Sequence, residues 1–268
     1  MEMTFNHEQL KVYQNALHFT ANTESWVAVW DKKHAICDHL PRAAGSIVEN
    51  VAMASAAYSA MKVRGLDYAL GSTLECAACL DIAGIKGLLD SQRVIHHKKD
   101  LLQLFRMLVG LRHAWSPGMV KEGRVQYGSG RECLAGEKET VKGRDKAYRD
   151  ETGGFHHERL DLYRVALEVV VLFSSRKVSG ALSNSVFRRL DVLLTSMVLN
   201  TAEGNGRFSS KDQRRFLGVS HESAIKMAAN LDLCVIQKAL PADEADKCKR
   251  LLSRVAAMTV SMIGNEEI

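Results

Sequence analysis

The sequence predicts an all-α protein: two tandem antiparallel four-helix bundles joined by a flexible linker rich in glycine and charge. Three observations predict it. The chain writes one phrase twice, F-N-H-E-Q-L-K-V-Y-Q-N-A-L at Phe5–Leu17 and F-H-H-E-R-L-D-L-Y-R-V-A-L at Phe155–Leu167, and an internal repeat outranks other cues to fold. The match continues with Ser46, Asn50 and Ala52 over Ser196, Asn200 and Ala202. After a one-residue slip, Ser72–Asp81 lies over Ser223–Asp232. Composition agrees, with only 3 prolines and 6% aromatic residues against abundant Ala, Leu, Val and Met, a balance that favours helices over sandwiches or barrels. Apolar residues also recur at helical spacing through both halves and lose that period between them. The expected units are residues 1–115, a linker at 116–154, and residues 155–268.

In the first unit a helix is expected from Phe5 into the Trp26–Lys33 region, on the stripe Leu10, Tyr13, Leu17, Trp26 and Trp30. Asn6 with Gln9 suggests a weak capping box. Pro41 is placed in the first turn of the second helix, where its missing N–H costs nothing. That helix is rich in Ala and Ser and suits close packing. A third helix is expected over Leu66–Leu89 and a fourth over Arg93–His113. Between Trp115 and Gly154 glycine and alternating charges replace apolar periodicity, which suits a solvated tether rather than a loop inside a domain.

The second unit repeats the plan. Its helices are expected over His157–Lys177, Ser183–Glu203 with Ser183 as N-cap, Lys211–Ala239, and from Pro241 to near Gly264. The G-N-G-R-F-S-S stretch at Gly204–Ser210 marks a helix stop followed by a new cap. Four amphipathic helices with short connections bury their stripes best as an antiparallel bundle.

The net charge is +5 and the pI about 8.9, which permits a polyanionic partner without demanding one. No run of ~20 apolar residues suggests a membrane span, and no signal peptide is visible. Scattered cysteines in apolar helical contexts suit a reducing cytoplasm. Cys76-Ala-Ala-Cys79 lies inside a predicted helix, where core packing is the expected role. No Gly-rich phosphate loop, nucleophile elbow or carboxylate pair appears, so no enzyme, no catalytic residue, no metal and no cofactor are expected.

Both halves resemble the bacterial four-helix-bundle proteins encoded in intervening sequences of large-subunit ribosomal RNA genes, a superfamily that includes accessory variability-determinant proteins of diversity-generating retroelements. An L-x-V/I-Y-x-x-A pattern carries the resemblance at Leu10, Val12, Tyr13 and Ala16, and at Leu160, Leu162, Tyr163 and Ala166. So does S-M-V-L-N-T-A-E-G-N-G-R-F-S-S-K-D-Q-R-R-F-L at Ser196–Leu217. The first unit keeps R-A-A-G-S-I-V-E-N-V-A at Arg42–Ala52 and loses E-G-x-G-R. The resemblance implies a bundle with a basic surface, often a pentameric ring, acting as a nucleic-acid-binding accessory, in the retroelement case beside a reverse transcriptase. Tandem fusion departs from the single-bundle pattern.

The candidate nucleic-acid-binding residues are Arg207, Lys211, Arg214 and Arg215, with Arg188 and Arg189 expected nearby and Lys98 and Lys99 as a second cluster. Lysine and arginine pair phosphates and release counterions, and cations at a helix N-terminus oppose its dipole. A competing expectation pairs Arg207 with Glu203 as a salt-bridged cap. Asn50, Asn200, Glu203, Tyr13 and Tyr163 are expected to tie helices or subunits together. The expected function is a non-enzymatic RNA- or DNA-binding accessory, homo-oligomeric and cytoplasmic, with a reverse transcriptase or ribonucleoprotein complex as a further partner and no membrane. The alternative is an oligomeric scaffold that binds another protein.

Overall fold

The computed structural model describes residues 5–57, 60–116, 154–175, 178 and 180–264. Among these, every regular element is helical. The first group is α1 (Lys11–Val29), α2 (Ile36–Ala56), α3 (Ala60–Ile85) and α4 (Ser91–Trp115), and the second is α5 (Asp161–Ser174), α6 (Asn184–Asn205), α7 (Ser210–Ile236) and α8 (Ala242–Ile263). A 3-10 turn precedes each group, at Asn6–Gln9 and His156–Arg159. The expected linker lies almost wholly outside the described residues.

Helix ends follow local chemistry, with corrections. The repeated His-Glu starts a 3-10 turn rather than the helix: Phe5 is the cap, and its N–H donates to Glu8 Oε2 at 3.1 Å. The Asn6–Gln9 box is therefore replaced by Phe5 and Glu8. Asp90 accepts the N–H of Arg93 at 2.9 Å to begin α4, and Ser209 accepts that of Asp212 at 3.4 Å to begin α7. Ser183 occupies the N-cap of α6 without a side-chain cap bond. Pro41 lies inside α2, not in its first turn. Ile36, Cys37 and Leu40 upstream of it are buried, and their apolar contacts extend the helix N-terminally past the proline.

Within the first group α2 packs on α1 and α3, and α4 on α3 and α1; the second group closes likewise through α5–α6, α6–α7, α7–α8 and α8–α5. The sequence repeat is matched by repeated contacts. Asn50 Nδ2 donates to Ser46 O at 2.8 Å, and the Ser72 hydroxyl donates to Ser46 Oγ at 2.9 Å. Asn200 Nδ2 does the same to Ser196 O at 2.7 Å, and Ser196 Oγ lies 2.9 Å from Ser223 Oγ. These asparagines therefore satisfy themselves on their own helices and set the serine that bridges to the next helix.

The two bundles are not merely strung together. Helix α3 packs on α6 and α5 as well as on its own neighbours. Leu74, Ala77, Ala78 and Ile82 are all buried, and a helix covered on both sides carries apolar residues on more than one face. Met61–Ile85 consequently reaches a hydropathy of 1.2 over a spanning length, with 72% of that window buried inside the protein. The sequence expectation of no such segment is corrected, and burial between two bundles accounts for its apolarity. Gly206 allows the closest approach: a Cβ there would fall on Leu74 Cδ1.

Candidate nucleic-acid interface

The end of the molecule where α6 turns into α7 is built around Arg207. It is only 6% exposed, and its guanidinium pairs with Glu203 one turn earlier. It also crosses to the other bundle, where Nη1 donates to Asp67 O at 3.3 Å. Burial raises the Glu203 carboxyl above its usual range, against the opposing pull of Arg207. The Asp67 carboxyl is raised in the same way, with Arg112 opposing; Arg112 Nε donates to Asp67 Oδ1 at 2.5 Å.

Around these ions runs a seam in which cations and aromatic rings alternate. Arg64 lies 5.5 Å from the Tyr68 ring, Arg207 5.8 Å from the same ring, Arg207 4.4 Å from Phe216, and Arg215 4.8 Å from Phe216. Beside it Arg112 stacks 3.8 Å over Phe208, and Lys62 sits 5.1 Å over Trp115. Each contact favours a cation held against a ring face. Arg64, Lys211, Arg214 and Arg215 are exposed, whereas Arg207 and Arg112 are buried. The outer cations can meet phosphates; the inner ones hold the platform together.

The expected cluster is thus divided. Arg207 does not face solvent, because the second bundle's turn is pressed against α3, and its pairing with Glu203 matches the salt-bridged alternative. Lys211, Arg214 and Arg215 stay together on the first turns of α7. Arg188 and Arg189 are exposed but lie near the other end of α6, about 27 Å from Arg207 at helical rise. Lys98 is turned inward, bridging Asp81 at 2.5 Å and Glu158 at 2.6 Å. Burial alone would depress its ammonium, yet the two carboxylates raise it. Lys99 is exposed but sits about 20 Å before Arg112 along α4. Sequence reasoning missed Arg64, Tyr68, Arg112 and Phe216. Arg64 and Tyr68 share one helix face at i, i+4, but nothing in the order of residues brings α3 to the start of α7.

A second set of polar groups lies between the bundles. Tyr163 donates to Asp81 Oδ2 at 2.8 Å, and Lys86 pairs with Asp191, which also accepts the Ala35 N–H at 2.8 Å. Burial depresses the Lys86 ammonium, with Asp191 opposing. His157 is fully buried, packs edge-on to Tyr163 at 4.6 Å, and has no hydrogen-bond partner for either ring nitrogen among the described residues. Burial, with Lys98 and His156 adding repulsion, pushes its pKa down to about 3. Tyr163 therefore ties the bundles within one chain, while Tyr13, its counterpart, is half-buried against His7.

Two groupings could present ligands to a metal: Asp81, His157 and Glu158, and His96, His97 and Asp100. In the first, the Lys98 ammonium already bridges the two carboxylates. In the second, Asp100 Oδ2 lies 3.6 Å from His96 Nε2 and 3.5 Å from His97 Nδ1, and the His97 ring packs against Trp26 with ring centroids 4.2 Å apart. Cys76 and Cys79 are wholly buried and burial raises both thiols well above their usual range, which suits core packing rather than redox chemistry.

Residues 8–110, which span most of the first bundle, match the family model of the 23S rRNA-intervening sequence protein, a helical-bundle family. The match bears out the resemblance for this part of the chain. It falls on the unit that lost E-G-x-G-R, whose Ala, Ser and apolar helix-packing positions remain. No curated protein and no solved structure matches the chain.

Proposed function

We propose that the chain is a non-enzymatic nucleic-acid-binding accessory protein that presents the seam end of the bundle pair to phosphates. The observation that carries this reading is the alternation of cations and aromatic rings from Arg64 to Arg215, flanked by exposed Lys211 and Arg214. Outer cations of this kind bind backbone charge, and the exposed guanidinium planes of Arg64 and Arg215, backed by rings, are suited to stacking an unpaired base. The similarity of residues 8–110 to a family named for an rRNA intervening sequence supports a ribonucleic partner.

The test is binding to a structured RNA and to a duplex DNA across a salt series, with wild type beside K211A/R214A/R215A. Three phosphate contacts give a log–log slope of about −2 for single strands and about −3 for duplex. The triple variant should lose most of that slope and keep its helical content. A wild-type protein that does not bind at low salt, or a variant with an unchanged slope, overturns the assignment. Arg207 is left intact because its loss would disturb the junction itself.

A further inference from the structure

A polar groove runs between α1 and α4, far along α4 from the cation–ring seam. It is a cavity of about 310 Å³ whose polar lining comes from Asn15, His18 and Asn22 on α1 and from His96, Asp100 and Gln103 on α4. Two contacts set the antiparallel register of these helices. Asn15 Nδ2 donates to Met107 Sδ at 3.4 Å, and the Trp26 ring packs on His97. At equal rise along both helices Asn22 then falls level with Asp100.

On the α4 side of this groove three donor atoms converge, from positions i, i+1 and i+4 of one helical turn. His96 Nε2 and His97 Nδ1 lie 3.6 Å and 3.5 Å from Asp100 Oδ2, and all three atoms fall within 4.8 Å of one another. Ligands held ~2.0–2.2 Å from a tetrahedral ion stand ~3.3–3.6 Å apart, so both distances to Asp100 already have the spacing of a metal site. His97 Nδ1 is buried and has no hydrogen-bond partner among the described residues. Its ring is held in place between Trp26 and the edge of His96. Burial and His96 keep the His97 imidazole below its ordinary range, in the neutral form that a ligand must have. Of the neighbouring cations, Arg93 pairs with Asp90 at 3.3 Å and Lys98 is turned away to Asp81 and Glu158.

We infer that His96 Nε2, His97 Nδ1 and Asp100 Oδ2 form a binding site for a divalent transition-metal ion, zinc foremost, with a fourth position open to the groove. Two imidazoles and one carboxylate suit zinc and its neighbours, whereas magnesium and calcium take oxygen ligands. The His96 side chain is 71% exposed, and turning its ring closes the third side of the triangle. The His97 ring is already fixed, so little order has to be created on binding. The open position faces the level of Asn22 on α1, where a water completes the ion's shell. Three protein ligands with one open position make an exchangeable site rather than a closed structural one. The sequence alone suggests no metal, because H-H-x-x-D is not among the spacings that mark zinc motifs. The inference does not rest on nucleic-acid binding.

The experiment takes tag-free full-length protein, stripped with a chelator, and titrates it with zinc by calorimetry and with cobalt(II) by visible absorption. Wild type should bind one equivalent tightly and give the intense visible bands of four-coordinate cobalt. H96A and D100N alter exposed positions, so both should keep wild-type circular dichroism. Each should bind at least ~10-fold more weakly, since losing a ligand costs no less than losing a group that orients one. H156A removes an exposed histidine outside the trio and should bind as wild type does. Excess magnesium or calcium should not displace the zinc. A wild type that shows no saturable binding overturns the inference. So do equal affinities in wild type, H96A and D100N, which would mark scattered capture by surface histidines. A pale six-coordinate cobalt spectrum, or displacement by magnesium, overturns the assigned ligand set.

Discussion

Acidification should unlock the junction between the bundles, and His157 gives the magnitude. Its pKa falls from 6.5 to about 3 on folding, so between those values the unfolded chain binds a proton that the folded chain refuses. Stability is fully present above pH 6.5 and is lost as pH falls toward 3. From pH 7.5 to 4.5 the unfolded state gains about two pKa units of protonation free energy, or about 2.7 kcal/mol at 1.36 kcal/mol per unit. That figure holds for any folded pKa below about 4, since the folded ring is still neutral at pH 4.5. The groups facing the ring are Lys98, His156, Asp81 and Glu158. Urea unfolding followed by far-UV circular dichroism at both pH values, on wild type and His157→Phe, isolates the effect. Raised carboxyls such as Asp67 and Glu203 act with opposite sign but equally in both proteins. The wild type should lose about 2–3 kcal/mol more than the variant. Parallel losses would refute the reasoning and show that the ring is hydrated or protonated in the folded protein.

Other perturbations follow from the same junction. Lys86→Ala should destabilise by about 3–5 kcal/mol because it strands Asp191 in the interior, whereas K86M/D191L should lie within a few kcal/mol of wild type; denaturant midpoints compare the three. Arg207→Ala should cost about 2–4 kcal/mol by leaving the mostly buried Glu203 without its partner and emptying the space between the bundles, while Arg215→Ala, at an exposed site, should stay within about 0.5 kcal/mol and affect the salt slope of nucleic-acid binding instead. Thermal unfolding of the two variants separates the inner from the outer arginines.

Much of the fold was legible because helices are local. The repeated phrase, the Ala- and Ser-rich second helix, and the stop at Gly204–Ser210 all act over a few residues, and the helices begin and end within a turn or two of expectation. Pro41 is instructive: its local chemistry favours a first turn, but burial of Ile36 and Leu40 carries α2 past it. The site was legible in part. Lys211, Arg214 and Arg215 are grouped in sequence and structure alike because they lie within the first two turns of one helix. Arg207 was assigned to the surface because a sequence does not show that α3 of the first bundle covers the turn, although Glu203 one turn earlier signalled a local pair.

By itself the sequence determined the all-α class, the repeated helical phrase, and the serines and asparagines that recur at matching places in each unit. These depend on spacing along one helix or between adjacent ones. Only the tertiary structure decided that the bundles dock, and by which faces. Docking turns Lys98, Arg207 and Tyr163 inward, covers α3 on both sides along Leu74–Ile82, and buries His157 completely. Whether a charge meets a phosphate or a carboxylate depends on what lies across a surface, and residues more than 100 positions away in the chain supply that other side.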